Sequence, residues 1–188
     1  MNYIKRIVDD EIKNKLNYTG AVLIKGPKWC GKTTSAKQIA KSVLEMQNPD
    51  LQENYIELAN TKPSLLLEGD KPRLIDEWQI VPKLWNAIRY SVDNTGLPNQ
   101  YILTGSATPN EDPTLHSGVG RFAFVTMKPM SLYESGESNG KISLSDILNG
   151  KRDIDGIKTD LEYEKIAHVL CRGGWPNSLN LPEKESLE

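Results

Sequence analysis

The chain reads as an α/β protein, a three-layer sandwich with a five-stranded, mostly parallel sheet between helices. Three observations predict it. Short apolar runs rich in β-branched residues alternate with stretches of helical spacing, the pattern of strands joined by helical crossovers. Residues 26–34 form a glycine-bracketed loop, G-x-x-x-x-G-K-[ST], set between a strand and a helix. A later apolar strand runs through Leu74 and Ile75 and ends in the carboxylates of Asp76 and Glu77.

Ile4, Ile7, Val8, Ile12 and Leu16 recur at helical spacing and predict a leading amphipathic helix over residues 4–16. Residues 17–20 turn the chain into a strand at 21–25, whose unbroken apolar run suits a strand buried on both faces. After the glycine loop, Ala36, Ile39, Ala40, Val43 and Leu44 predict one helix, ended by Asn48-Pro49-Asp50. Residues 54–58 are expected as the second strand and 63–67 as a helical turn opened by proline. Gly69-Asp70-Lys71-Pro72 is a turn, and 73–77 the third strand. Residues 82–92 predict a helix with Leu84, Trp85, Ile88 and Val92 inward, closed by Asn94-Thr95-Gly96. The fourth and fifth strands fall at 100–104 and 121–127, with a polar loop between them. Beyond lie an exposed loop at 135–141, a short helix near 145–148 and a longer one at 161–170 ended by Gly173-Gly174.

A length of 188 residues suits one domain with an adequate core. Hydrophobic residues at 38% and charged residues at 26% are ordinary for a globular chain. No stretch has the length and apolarity of a membrane span, and the amino terminus lacks a signal-peptide pattern; the cytoplasm is the expected compartment. Cys30 and Cys171 make no disulfide framework and are expected to be passive. His116 and His168 form no metal-ligand spacing. The net charge of −2 argues against a strongly basic nucleic-acid surface, and no basic stripe interleaved with aromatics is present. Charge is uneven, however: residues 1–50 hold nine Lys or Arg against five Asp or Glu. That suits an anionic ligand near the loop, although lysines solvating two helix faces would give the same balance.

Each loop position has a physical task. Gly26 and Gly31 let the backbone turn tightly and approach a polyphosphate. The amides of Gly26, Pro27, Lys28, Trp29, Cys30, Gly31, Lys32, Thr33 and Thr34, proline excepted, can form an anion-binding nest. Lys32 can place its ammonium between β- and γ-phosphates, and the Thr33 hydroxyl can ligate Mg²⁺. Asp76, at a strand's carboxyl end, is placed to hold Mg²⁺. Glu77, one residue on, is expected to point elsewhere by strand alternation and to deprotonate an attacking water. Thr104 and Ser106, ending the next strand, are placed to touch the γ-phosphate or that water. Arg121 follows Gly118-Val119-Gly120 and is read either as an arginine finger offered in trans to a neighbouring subunit or as a solvated side chain.

Taken in series, residues 26–34, the stretch from Leu74 to Gln79 and the run Leu103-Thr104-Gly105-Ser106 resemble the amino-terminal ATPase domain of prokaryotic AAA-type ATPases. Gly120-Arg121, the run from Lys128 to Glu134, and Gly173-Gly174-Trp175-Pro176 fit the same family. The resemblance implies a P-loop NTPase core over residues 1–177 and ATP with Mg²⁺ as cofactors. It implies Lys32 and Thr33 as phosphate and magnesium contacts, Asp76 as magnesium residue, Glu77 as base, Thr104 or Ser106 as sensor and Arg121 as finger. Members usually continue into a carboxy-terminal domain of uncertain role, so residues 178–188 are expected to be a truncated linker or a cloning-derived tail. The expected function is ATP hydrolysis that switches a partner domain, with ATP and ADP, the absent carboxy-terminal domain and further copies of the chain as partners. Nucleic acid is a partner for which the residues offer no support. Two alternatives stand beside it: a nucleotide-binding scaffold with little catalysis, and a small-molecule P-loop kinase. Only Arg121 and Arg152 are available in the later loops for a kinase lid, and no N-K-x-D tetrapeptide supports a GTPase.

Overall fold

A computed structural model of the chain describes residues 3–105, 118–151, 154–182 and 184–187. The chain divides into two compact units, Arg6–Lys128 and Pro129–Glu188 together with Met1–Lys5. In the first unit, α1 (Ile7–Leu16), β1 (Ala21–Lys25), α2 (Lys32–Lys37), β2 (Ser42–Glu45), α3 (Gln52–Thr61), β3 (Arg73–Asp76), α4 (Lys83–Thr95), β4 (Tyr101–Gly105) and β5 (Phe122–Thr126) follow in order. All five strands run parallel in the spatial order β2-β3-β4-β1-β5. The second unit holds α5 (Leu144–Leu148) and α6 (Tyr163–Arg172). Among the described residues no helix is long and apolar enough to cross a membrane.

The central strands β1 and β4 are buried almost throughout because both faces of the sheet are covered there, whereas the edge strands β2 and β5 mix buried with exposed residues. Side-chain alternation sorts them into two cores. Ala21, Leu23, Ile75, Tyr101 and Leu103 face one core, with Ala59 of α3 and Leu84, Trp85 and Ile88 of α4. Val22, Ile24, Leu74, Ile102 and Val125 face the other, with Ile12 and Leu16 of α1 and Ala36 of α2. Each fully buried Val, Leu or Ile among them contributes roughly 1.5–3 kcal/mol relative to exposure. Trp85 anchors the first core, its ring stacked on Phe122 with centroids 3.8 Å apart and tilted against Trp78 at 5.3 Å.

Two expected elements are different in the structure. The helix expected from Ala36 to Leu44 ends at Lys37, and residues 42–45 leave it to form the edge strand β2. The Lys41 amide donates to the Pro72 carbonyl and the Met46 amide to the Asp76 carbonyl, drawing the segment onto β3. A four-residue strand cannot display enough alternation to compete with a helical reading of the same apolar positions. Residues 54–58, expected as a strand, lie inside α3. Tyr55, Leu58 and Ala59 turn together onto the first core, a three-and-four spacing that marks a helix face. Asn48-Pro49-Asp50 therefore precedes a helix rather than ending one.

Candidate nucleotide site

The carboxyl ends of β1, β3 and β4 converge because the strands are in register: Lys25 lies opposite Gly105, and Asp76 opposite Thr104. Ligands of open parallel sheets bind at this end. The loop leaving β1 folds back on the segment after β5. A Cβ on Gly26 would stand 2.1 Å from the Met127 carbonyl oxygen, so only glycine fits there. Gly31 has φ 101°, a conformation L side chains rarely adopt. Between them Pro27, Lys28 and Trp29 are exposed, Trp29 at 83% and with φ 63°. Cys30 is buried, its Sγ 3.7 Å from the same Met127 carbonyl, which is a packing role rather than that of an accessible thiol.

Lys32 opens α2 and is only 5% exposed. Its Nζ donates to the Gly26 and Pro27 carbonyls at 2.9 and 2.8 Å, so the ammonium lies inside the curve of the loop. Thr33 donates its hydroxyl to Asp76 Oδ1 at 2.6 Å. The Thr104 hydroxyl donates to the same oxygen in a short hydrogen bond. Asp76 and Thr104 are 1% and 0% exposed. A buried carboxylate costs free energy unless it is hydrogen-bonded; here two hydroxyls from two other elements converge on its Oδ1.

Glu77 is not a strand residue. β3 stops at Asp76, and Glu77 adopts φ 56°, ψ 47° at the head of a 3₁₀ turn, Trp78–Ile80. Strand alternation therefore does not aim the Glu77 side chain; this left-handed backbone does, a conformation uncommon for a residue with a side chain. Its Oε2 accepts a short hydrogen bond from Gln79 Nε2. Gln79 in turn lies against Gly105 at the end of β4. Nothing in the sequence marks Gln79 for this contact, because a two-residue reach around a left-handed turn leaves no periodic signal.

Ser106 and His116 lie outside the described residues. Arg121 lies at the opposite, amino end of the sheet, its carbonyl accepting from the Ala21 amide. Four strand residues at ~3.3 Å each put it roughly 13 Å from the loop end of β1. Its Nε donates to Asp93 at 2.6 Å, and Asp93 also pairs with Arg89 at 3.3 Å. Arg121 thus does not join the loop cluster of its own chain. A groove of 910 Å³, lined by Lys62, Lys83, Tyr90 and Tyr101 among others, also lies toward the amino ends of the strands and takes no part in the cluster.

Thr33 and Asp76 supply two oxygen donors, the hard ligands that Mg²⁺ prefers. Among the described residues no cluster of three His, Cys, Asp or Glu could hold a metal. That composition fits Mg²⁺, which takes one or two protein oxygens and completes its shell with phosphate and water. It does not fit the thiolate and imidazole sets of zinc.

Residues 18–136 match a family model described as an AAA domain. Uncharacterized proteins of Mycobacterium tuberculosis and Mycobacterium bovis are each 29% identical over 130 residues, covering 68% of this chain and 29% of the relative. The chain therefore spans under a third of the length of these curated relatives. Among solved structures, a signal transduction ATPase with numerous domains carrying a tetratricopeptide repeat sensor, from Pyrococcus horikoshii, aligns with TM-score 0.50 and 17% identity. That alignment covers 97% of this chain and 30% of the other. At such identity the likeness concerns the fold.

Proposed function

This chain belongs to the AAA domain family, and we propose that it binds ATP with Mg²⁺ at residues 26–34, hydrolyses it, and uses the cycle to switch a partner domain. One observation carries this reading: Asp76 accepts hydroxyls from both Thr33 and Thr104, so loop, β3 and β4 meet at a single carboxylate. Lys32, now on the Gly26 and Pro27 carbonyls, is within the loop where it can exchange them for phosphate oxygens. Thr33 and Asp76 would hold Mg²⁺, which when bound neutralises charge on the β- and γ-phosphates.

In this reading Glu77 accepts the proton of the attacking water. Gln79 restrains its carboxylate, which is carried on the left-handed backbone of the turn. A conformation that costs of order 1–3 kcal/mol persists where surroundings enforce it, and such strain gathers at functional sites. In the same reading Thr104 registers the γ-phosphate, supported by the Asp76 oxygen it shares with Thr33; Ser106 shares that assignment by its place in the sequence. Arg121, tied to Asp93 at the far end of the sheet, can serve as a finger only toward another subunit.

The experiment is calorimetry with ATP and GTP, each with and without Mg²⁺, followed by phosphate release from whichever nucleotide binds. Saturable ATP binding strengthened by Mg²⁺, with phosphate released to water, is the expected result. Absence of heat and of thermal protection would end the nucleotide reading. Binding without release would favour the scaffold, and transfer to a metabolite the kinase.

A further inference from the structure

Arg6 is a charged residue only 4% exposed, placed just before α1. Its own amide donates to Asp9 Oδ2 at 2.8 Å, and the Asp9 amide donates back to the Arg6 carbonyl at 3.1 Å. The backbone is thus clamped at the helix start. From there Nη1 donates to the Cys30 carbonyl at 2.7 Å and Nη2 to the Lys128 carbonyl at 2.8 Å, 24 and 122 residues away in sequence.

Cys30 is inside the glycine loop, and its carbonyl shares a planar peptide with the Gly31 N–H. In a trans peptide the two point in opposite directions. Drawing the oxygen toward Arg6 therefore fixes the N–H on the other side. The second carbonyl steadies the fork itself: residues 127–128 already back the loop, the Met127 carbonyl touching the Gly26 position and Cys30 Sγ. Burying a guanidinium for packing alone would be an expensive choice, since apolar residues of similar volume do as well or better. A fixed planar fork of N–H donors is suited to gripping two carbonyls at once.

We infer that Arg6 is a positioning residue for nucleotide binding, holding the Cys30–Gly31 peptide so that the Gly31 N–H faces the polyphosphate; this rests on the nucleotide reading of the loop. Arg6 makes no contact with the nucleotide in this role.

The test compares the parent with Arg6→Lys and Arg6→Met, measuring Mg-ATP affinity by calorimetry, melting without nucleotide, and the Gly31 amide resonance in protein labelled with ¹⁵N-glycine. Both variants should melt below the parent, Arg6→Met the more so because it leaves the Cys30 and Lys128 carbonyls without their donor, and at a temperature where both remain folded they should lose about tenfold or more in affinity. The Gly31 resonance should move less on ATP addition than in the parent. A parent that binds no ATP defeats the nucleotide reading and this inference with it. A parent that binds ATP, with variants of equal affinity and equal Gly31 shift, overturns the inference alone. Should both variants fail to fold, Arg6→Gly is supplied with millimolar ethylguanidinium. Recovered affinity then supports the inference. Recovery of the fold without affinity, or of neither, counts against it.

Discussion

The Thr33 hydroxyl donates to Asp76 Oδ1 at 2.6 Å, joining residues 43 positions apart in the chain. The Thr104 hydroxyl reaches the same oxygen. This node is where the proposed function is most exposed to test. Asp76→Asn keeps an acceptor oxygen for both hydroxyls and removes the charge. The variant should fold and melt near the parent, while the Mg²⁺-dependent gain in ATP affinity falls about tenfold or more, or ~1.4 kcal/mol. Asp76→Ala should be worse in a different way. It strands the buried Thr104 hydroxyl at about 1–3 kcal/mol, with a smaller cost at the half-buried Thr33 hydroxyl, which denaturant titration would register as lost stability.

Glu77 and Lys32 separate binding from chemistry. Glu77→Gln retains an acceptor for Gln79 and cannot take a proton. ATP affinity should stay within about threefold of the parent while phosphate release drops by roughly 10²–10⁴, the usual worth of a general base. Lys32→Ala removes the ammonium held over the Gly26 and Pro27 carbonyls and should lose both properties. Turnover by Glu77→Gln at the parent rate would show that another group is the base.

Trp29 offers an optical readout. It is 83% exposed within the loop, whereas Trp78 and Trp85 are 1% and 0% exposed in the core. Nucleotide binding should change the emission of the exposed indole, and Trp29→Phe should abolish that change while leaving affinity close to the parent's. A nucleotide-dependent signal surviving in Trp29→Phe would locate the reporter elsewhere.

The stack of Trp85 on Phe122 ties α4 to the first residue of β5 across the first core. Trp85→Ala should cost about 3–5 kcal/mol, the range for deleting a large buried aromatic. Urea unfolding of the Arg6–Lys128 unit measures it. A loss under 1 kcal/mol, well below that range, would mean that the core collapses around the gap.

Much of this site was legible because its determinants are local. The glycine loop is contiguous, and β3 declares itself by an apolar run stopped by carboxylates. α4 shows four inward residues at helical spacing and ends at Gly96 in the left-handed conformation that a glycine C-cap provides. What was not legible depends on partners distant in sequence. Residues 42–45 are a strand because β3 lies beside them, not because of any period of their own. Arg6 looks like one more charge on a leading helix until the fold brings Cys30 and Lys128 to it. The turn at Glu77 was missed for another reason: a left-handed conformation at a residue with a side chain is enforced by its surroundings, and composition does not announce it.

The unit beyond residue 128 carries its own electrostatic signature. Arg172 Nη1 and Nη2 each donate to Glu137 at 2.8 Å, a bidentate pair whose side chains are 7% and 13% exposed. The hydrogen bonds from Arg172 hold the Glu137 carboxyl below the ordinary glutamate range, helped by the Ser135 hydroxyl and opposed by burial. A carboxylate whose pKa is depressed on folding stabilises the fold fully above its unfolded value, and that contribution is lost as pH falls through the folded value. Stability at these residues should thus be level near neutrality and decline as the medium is acidified from the ordinary glutamate range downward. Glu137→Gln should remove that acid-dependent step and lower stability at neutral pH, because a buried guanidinium loses its charged partner. Arg172→Lys should restore only part of it, since an ammonium cannot reproduce the two parallel bonds. Hydrogen exchange of the α6 amides between pH 7 and pH 3, corrected for intrinsic exchange, reads this out locally. An identical pH profile in the parent and in Glu137→Gln would show that the pair does not set the acid response of this unit.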